Sequence, residues 1–207
     1  VSSPVSKSIS GTVAGEKIEA IDFRPLIGQI YGIGKAGNLY SINASSGLAT
    51  LAGMGSFGTL TGSYFGFDFN PTVDRIRLIS NKGQNLRLHP VTGMIAATDG
   101  NLNPGMPNVS AAAYANNFAG ATTTTLYDID CASDKLFKQM PPNDGTLVEV
   151  GPIGINIESA NGFDIGSTSG IAYGIFTVGG KTAIYKVDLE TGTATKLNDF
   201  NVKASGF

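Results

Sequence analysis

Short runs of apolar, β-branched and aromatic residues recur along the chain in a constant order, with turn residues between them. The first run of each group reads AIDFRP, GFDFNP, AAYANN or GFDIGS and starts at positions 20, 66, 112 and 162. Three further runs follow in every group, and a turn precedes the last of them, with its glycine at Gly47, Gly93, Gly145 or Gly192. Because glycine accepts positive φ without a steric cost, these turns predict antiparallel hairpins. Each group therefore predicts four strands.

The spacing of the groups indicates the fold class. Their starts lie 46, 46 and 50 residues apart. Units of four short strands and about 40–50 residues are typical of propeller blades. A β-sandwich that happens to repeat is the alternative, but it does not require the same order at nearly constant spacing. We therefore predict an all-β propeller, a single domain over residues 1–207, with repeats at approximately 18–63, 64–108, 109–157 and 158–200.

The two ends of the chain predict a fifth, incomplete blade. The C-terminal Ser-Gly-Phe aligns with the start of the innermost strand, and the N-terminal stretch alternates polar and apolar residues like an outermost strand. We thus predict a five-bladed propeller whose closing blade is built from the termini, residues 1–17 and 201–207, and lacks its two middle strands. Unpaired edges recruit strands from other chains. The residues predicted to mediate such strand exchange are Val5, Ile9, Val13 and Phe207.

Composition narrows the functional classes. Charged residues are 14% of the 207, and the net charge is −2, so we expect no nucleic-acid partner. The single cysteine excludes an intramolecular disulfide and a cysteine-based zinc site. No apolar run of about 18 residues is present, so we expect no membrane insertion. The chain opens Val-Ser-Ser-Pro, as a processed, exported protein could, and we expect a secreted, extracellular or cell-surface location.

An aspartate recurs at one position of the innermost strand. Asp22, Asp68 and Asp164 occupy it, and Tyr114 replaces the aspartate in the third repeat. A ring of carboxylates at a channel can bind a cation. A residue that recurs in most blades has a structural role more often than a catalytic one. We therefore expect these carboxylates to accept hydrogen bonds from the backbone of the adjoining blade.

The second repeat departs from the others by its arginines. Arg75, Arg77 and Arg87 are candidate ligand-binding residues, because neighbouring guanidinium groups can grip a carboxylate or a sugar. The favoured interpretation is an exposed, salt-bridged surface in which they pair with Asp74 or Asp99. In the third repeat, Asn116 and Asn117 are further ligand-binding candidates, although they also fit an ordered loop.

The loop 98–108 is the longest interruption of the pattern. Asp99, Asn101 and Asn103 alternate there, superficially like a calcium loop, and are weak metal candidates. The distal glutamate of an EF-hand is absent, since position 12 counted from Asp99 is Ser110. The chain has no G-x-S-x-G, P-loop or dinucleotide motif. We therefore assign no catalytic residue and expect no cofactor, with calcium left as a possibility.

Several stretches are similar to one bacterial family. They are 21–25 (IDFRP), 66–93, 97–105 (ATDGNLNPG), 112–130 and 141–151. In these stretches the chain resembles the domain of unknown function 4394, over roughly residues 18–207. The resemblance implies an exported, propeller-like domain, found alone or attached to surface and matrix proteins, with no established chemistry. Family members usually open with two further strands before the segment that matches residues 5–13, and those are the two strands missing from the fifth blade.

Three functions remain open at this point. The favoured one is a non-enzymatic extracellular structural or adhesive protein that joins copies of itself through the incomplete blade, and a head-to-tail contact of this kind would build a filament. The first alternative is a glycan- or protein-binding module without polymerisation, with contacts from loops such as 56–64 and 98–108. The second is a cation-dependent, lactonase-like hydrolase at the central channel.

Overall fold

The fold is all-β. The computed structural model describes residues 6–159, 161–200 and 204, and this part contains sixteen strands and no α-helix. Two single 3₁₀ turns, Val13–Gly15 and Pro142–Asp144, are its only helical segments. Val5 and Phe207, two of the residues predicted to exchange strands, lie outside the described residues.

The strands form four antiparallel sheets, each with its four strands in chain order. Blade 1 contains β1 (Ile18–Arg24), β2 (Gln29–Gly34), β3 (Leu39–Ile42) and β4 (Ala49–Leu51). Blade 2 contains β5 (Phe65–Asn70), β6 (Arg75–Ser80), β7 (Asn85–Leu88) and β8 (Ile95–Thr98). Blade 3 contains β9 (Val109–Tyr114), β10 (Leu126–Asp130), β11 (Lys135–Gln139) and β12 (Leu147–Pro152). Blade 4 contains β13 (Gly162–Ile165), β14 (Ala172–Val178), β15 (Lys181–Val187) and β16 (Ala194–Asp199).

The repeated turn glycines close the outer hairpin of every blade. All four have positive φ: 76° at Gly47, 71° at Gly93, 70° at Gly145 and 84° at Gly192. A side chain would be strained in this region, which explains why the turn ends in glycine each time. Each described sheet lies within one of the four sequence repeats.

Hydrophobic side chains fill the space between successive blades. The innermost strands pack in order, β1 against β5, β5 against β9 and β9 against β13. A Cβ atom added to Gly66 would lie 2.7 Å from the Ala112 amide nitrogen, so β5 and β9 approach closely only because glycine stands there. Between blades 1 and 2, the rings of Tyr31 and Phe69 meet edge to face at 5.4 Å. This succession of stacked four-stranded sheets is a propeller arrangement of four blades.

The connection that leaves an outermost strand bonds to the hairpin of the next blade. After β8, Asn103 donates its N–H to the Gly145 carbonyl at 2.8 Å and accepts from the Leu147 N–H at 2.7 Å. Ser10 makes the same pair of bonds with blade 1, donating to Gly47 at 3.1 Å and accepting from Ala49 at 2.8 Å. Ser10 therefore occupies the same position relative to blade 1 that Asn103 occupies relative to blade 3.

The predicted fifth blade is not among the described residues. In that part of the chain, the N-terminal segment forms an isolated parallel bridge, Ser10 with Leu48, and no strand before β1. Ile9 and Val13, the two described strand-exchange candidates, are both exposed. β13 and β1, the innermost strands that a fifth blade would separate, lack the packing seen between the other innermost strands.

Candidate functional site at the channel mouth

The innermost strands bring the three repeated aspartates together. One carboxylate oxygen each of Asp22, Asp68 and Asp164 lies within 4.8 Å of the others. Asp22 Oδ2 accepts the N–H of Phe69 on β5 at 2.9 Å, and Asp68 accepts the N–H of Tyr114 on β9. The predicted bonds to the adjoining blade are therefore present for Asp22 and Asp68, whereas Asp164 accepts the N–H of Ile165 on its own strand at 2.7 Å. The aspartates also converge on one point at the propeller axis, and this convergence makes them a candidate site as well as a structural device.

Burial dominates the electrostatics of this cluster. It raises the pKa of Asp22 and of Asp68 well above the usual range, and the neighbouring carboxylates of the cluster raise both further. Main-chain N–H groups partly oppose this rise in each pKa. The pKa of Asp164 is raised as well, again by burial. A cluster in this state gains free energy from a proton or another positive group placed between the carboxylates.

A cavity of about 370 Å³ opens over the cluster. Asp22 and Asp164 form part of its lining, together with Asn117 and the rings of Phe23 and Phe118. The two phenylalanines are 55% and 40% exposed, respectively. We call this cavity the channel-mouth pocket.

Asn117 connects the pocket to Asp68. Its Nδ2 lies 3.5 Å from Asp68 Oδ1, and its own Oδ1 is buried without a hydrogen-bond partner in the described part of the chain. Asn116, the other predicted candidate, faces elsewhere and donates to the Thr123 carbonyl at 3.2 Å. With φ at 55°, Asn116 shapes the loop. The structure therefore places Asn117 at the site and gives Asn116 a local structural role.

The arginines of blade 2 form an ion-pair network, but not on an exposed face as expected. Arg77 is only 2% exposed and donates to Asp99 Oδ2 at 2.6 Å. Arg87 donates to both oxygens of Asp99, at 2.8 and 2.9 Å. Arg75 donates to the Asp74 carbonyl at 2.9 Å. The predicted pairing with Asp99 is present, and the exposure predicted for Arg77 is wrong because blade 3 covers it.

The weak metal candidates of the loop 98–108 take part in the polar contacts of that loop. Burial alone would raise the pKa of Asp99, but hydrogen bonds from Arg87 and Arg77 outweigh it and lower the pKa. Asn103 Nδ2 donates to the carbonyls of Asn101 and Asp144, both at 2.9 Å. The bond to the Asp144 carbonyl holds the loop against blade 3.

A second candidate region is the seam, which we define as the space between the facing sides of blades 1 and 4. On blade 1, Ile21 and Ile30 are half-buried and Phe23 is exposed on the side away from blade 2. On blade 4, Tyr173 and Ile184 are half-buried on the side away from blade 3. Both sides of the seam thus present apolar side chains that further strands could cover.

Taken together, the four stacked sheets and the converging innermost strands define a β-propeller. Within that class, the chain belongs to the family described as domain of unknown function (DUF4394), which it matches over residues 2–206. No curated protein matches the chain. No helix in the described residues is long and apolar enough to cross a membrane.

Solved structures share the fold at low sequence identity. A protein of unknown function from Bacteroides thetaiotaomicron VPI-5482 has a TM-score of 0.65 at 16% identity, over 93% of this chain and 52% of its own. A chain of a nidogen/laminin complex has a TM-score of 0.56 at 12% identity, over 83% and 62%. The Dos1 propeller has a TM-score of 0.51 at 12% identity, over 94% and 52%. The chain thus spans between 52% and 62% of these structures' lengths.

Proposed function

We propose that this chain is a non-enzymatic, extracellular structural or adhesive propeller that joins copies of itself by strand complementation at the seam. The observation that carries the proposal is the bridge of Ser10 to Leu48. It repeats the bridge of Asn103 to Thr146, which belongs to a connection leaving an outermost strand. The residues before Ser10 are therefore in position to belong to a blade that precedes blade 1.

The spacing along the chain supports this position. Asn103 follows the end of β8 by only five residues, so a connection of this kind is short. A blade of one or two strands leaves unpaired backbone groups, and such edges accept strands from another chain. A chain that gives a strand to the seam of a neighbour leaves its own seam open for the next chain. The contact is therefore head-to-tail, and the assembly does not close into a ring.

The apolar sides of the seam supply the driving force. Ile21, Ile30 and Phe23 on blade 1 and Tyr173 and Ile184 on blade 4 remain partly accessible to water. Covering a large apolar side chain contributes roughly 1.5–3 kcal/mol relative to leaving it exposed. Strands inserted into the seam would bury several such side chains at once and would gain main-chain hydrogen bonds as well.

Light scattering and negative-stain microscopy of Ser10→Pro test the proposal. Proline removes the N–H that Ser10 donates to Gly47, and we expect it to shift the assembled wild-type chain toward monomers. Ser8→Pro is the matched control, since the Ser8 N–H donates no hydrogen bond to any residue that the structure describes, and we expect it to assemble normally. A wild-type chain that stays at its monomer mass of 21.4 kDa would overturn the proposal, as would equal assembly of Ser10→Pro and wild type.

A cation-dependent, lactonase-like hydrolase at the central channel is the second candidate, and the three converging carboxylates favour it. Calcium titration by calorimetry separates it from the structural role. Binding tighter than millimolar that Asp68→Asn abolishes would support this candidate. A glycan- or protein-binding module without polymerisation is the outcome if neither assembly nor calcium binding is observed.

A further inference from the structure

Building on the proposed function, we infer that Glu16 is the positioning residue for assembly through the seam. Its carboxylate fixes residues 8–16 onto blade 1 of the same chain, so that only the part of the chain before Ser8 is left to enter a neighbour. Three observations carry this role: the hydrogen bonds of Glu16, a recess at Gly34, and a contact at Ser8 that recurs at the outer hairpin of every described blade.

Blade 1 engages both carboxylate oxygens of Glu16. Oε1 accepts the Ala36 N–H, and Oε2 accepts from Asn38 Nδ2 at 2.9 Å and from the Tyr40 hydroxyl at 2.7 Å. Asn38 and Tyr40 are buried. Hydrogen bonds to an ionised acceptor are roughly twice as strong as those between neutral groups, and a low local dielectric strengthens them further. Glu16 therefore holds one end of the segment firmly on blade 1.

Gly34 makes room for this carboxylate. A Cβ atom added to Gly34 would overlap the Glu16 carboxylate, and the three atoms nearest to it all belong to that group. Gly34 is not among the glycines with positive φ, so its backbone conformation does not require glycine. The missing side chain at this position thus serves the contact with Glu16.

A strained turn shows that the contacts around Glu16 act together. Ala14 has a φ of 50°, in the left-handed region that costs free energy for a residue with a side chain. Such a conformation persists only where the surrounding structure holds it. Val13 and Glu16, on either side of the turn, both hydrogen-bond to the Tyr40 hydroxyl. Blade 1 therefore holds the turn at both of its ends.

The other end of the segment, at Ser8, occupies a position that recurs from blade to blade. A Cβ atom added to Gly47 would overlap the Ser8 carbonyl oxygen. The other three outer-hairpin glycines meet a carbonyl oxygen that lies within three residues of the end of the preceding outermost strand, from Ala52, Asn101 and Gly151. Ser8 therefore marks the point where an outermost strand preceding blade 1 would end.

A fixed starting point lowers the entropic cost of assembly. Ordering a loose segment opposes association, and preorganisation removes that cost. Without Glu16, the loose part of the chain would extend to Lys17 instead of ending at Ser8. The seam of such a chain still accepts a strand, because its uncovered side chains Ile21 and Phe23 lie on β1, outside the contacts of Glu16. Loss of Glu16 should therefore impair the donor role and spare the acceptor role.

Hydrogen exchange and light scattering of Glu16→Ala test the inference. We expect the Ser10 and Ala49 amides, which bond residue 10 to blade 1, to exchange at least about tenfold faster than in wild type. Assembly should require at least about a tenfold higher protein concentration. Glu16→Gln keeps one acceptor oxygen and should be intermediate.

Gly34→Ala provides a second route to the same contact. It should reproduce the effect of Glu16→Ala, and the double variant should be no worse than either single variant, because both changes remove one interaction. Glu190→Ala is the matched control, with the same charge change on an exposed residue in a turn of blade 4, and it should behave like wild type.

A mixing experiment separates positioning from folding. Folded Glu16→Ala accepts a strand but donates one poorly, so adding it to wild type should shorten the wild-type assemblies. Unchanged assembly length in the mixture, equal hydrogen exchange, or equal assembly of Glu16→Ala and wild type would overturn the role of Glu16 and leave the proposed function intact. A wild-type chain that does not assemble would overturn the proposed function and the role of Glu16 together.

Discussion

Replacing Arg77 with methionine is expected to lower the free energy of unfolding by about 3–5 kcal/mol, the range seen when one partner of a buried ion pair is removed. The guanidinium of Arg77 joins two blades. It donates to Asp99 Oδ2 at 2.6 Å and Asn85 Oδ1 at 2.8 Å within blade 2, and to Asn143 Oδ1 at 2.9 Å in blade 3. Methionine fills much of the volume but removes the donor to Asn85 and Asn143 and leaves Asp99 with Arg87 alone. Urea unfolding followed by fluorescence or circular dichroism measures the loss.

Arg87 provides the matched control because it shares the same carboxylate. Its side chain is 35% exposed, and its ion-pair partner is Asp99. Solvent screens such a pair, so we expect Arg87→Met to cost no more than about 1 kcal/mol. If the two variants lose the same small amount of stability, the buried network does not fasten blades 2 and 3 together.

The blades were predictable because their signal is local and repeated. Each hairpin needs a residue at positive φ, and the glycines at Gly47, Gly93, Gly145 and Gly192 mark the same point in every repeat. The bonds from the repeated aspartates to the next blade were predictable for the same reason, since the propeller applies the same requirement at each interface. The residues that repeat in the sequence are therefore those that serve the same turn or the same blade-to-blade contact in each repeat.

The environment of Arg77 was not predictable, because it depends on contacts between distant residues. Asn143 lies 66 residues away in sequence and reaches Arg77 only once blade 3 packs on blade 2. Arginine is usually exposed, so the sequence favoured a surface position. The pocket was missed for a related reason. The repeated aspartates predicted a ring of carboxylates at the channel, but only the stacked blades bring their oxygens within 4.8 Å and place Asn117 beside them.

The acidic groups inside the propeller are expected to make stability fall as pH rises. Asp128 on β10 is 0% exposed, and neither carboxylate oxygen has a hydrogen-bond partner among the described residues. Burial raises its pKa to about 8, although the positive charge of Arg77 opposes the rise. The usual pKa of an unfolded aspartate is about 3.9, so between about pH 4 and pH 8 the native state holds a proton that the unfolded chain has lost. Stability contributed by the neutral form is complete below about pH 4 and is lost as pH rises through about 8.

Asp128→Asn should remove this part of the pH dependence, because asparagine has nearly the same shape and does not ionise. Near pH 4 the variant and wild type should unfold at similar urea concentrations, and near pH 9 the variant should be more stable by a few kcal/mol. Asp188→Asn, in an exposed turn, is the control. Its stability should fall with pH as steeply as that of the wild type, because the raised pKa values of Asp22, Asp68 and Asp128 remain. A pH profile of Asp128→Asn that runs parallel to wild type would mean that Asp128 is ionised in the native propeller. Its charge would then have to be balanced across the interface by Arg77, and Arg77→Met should become more damaging at high pH than at low pH.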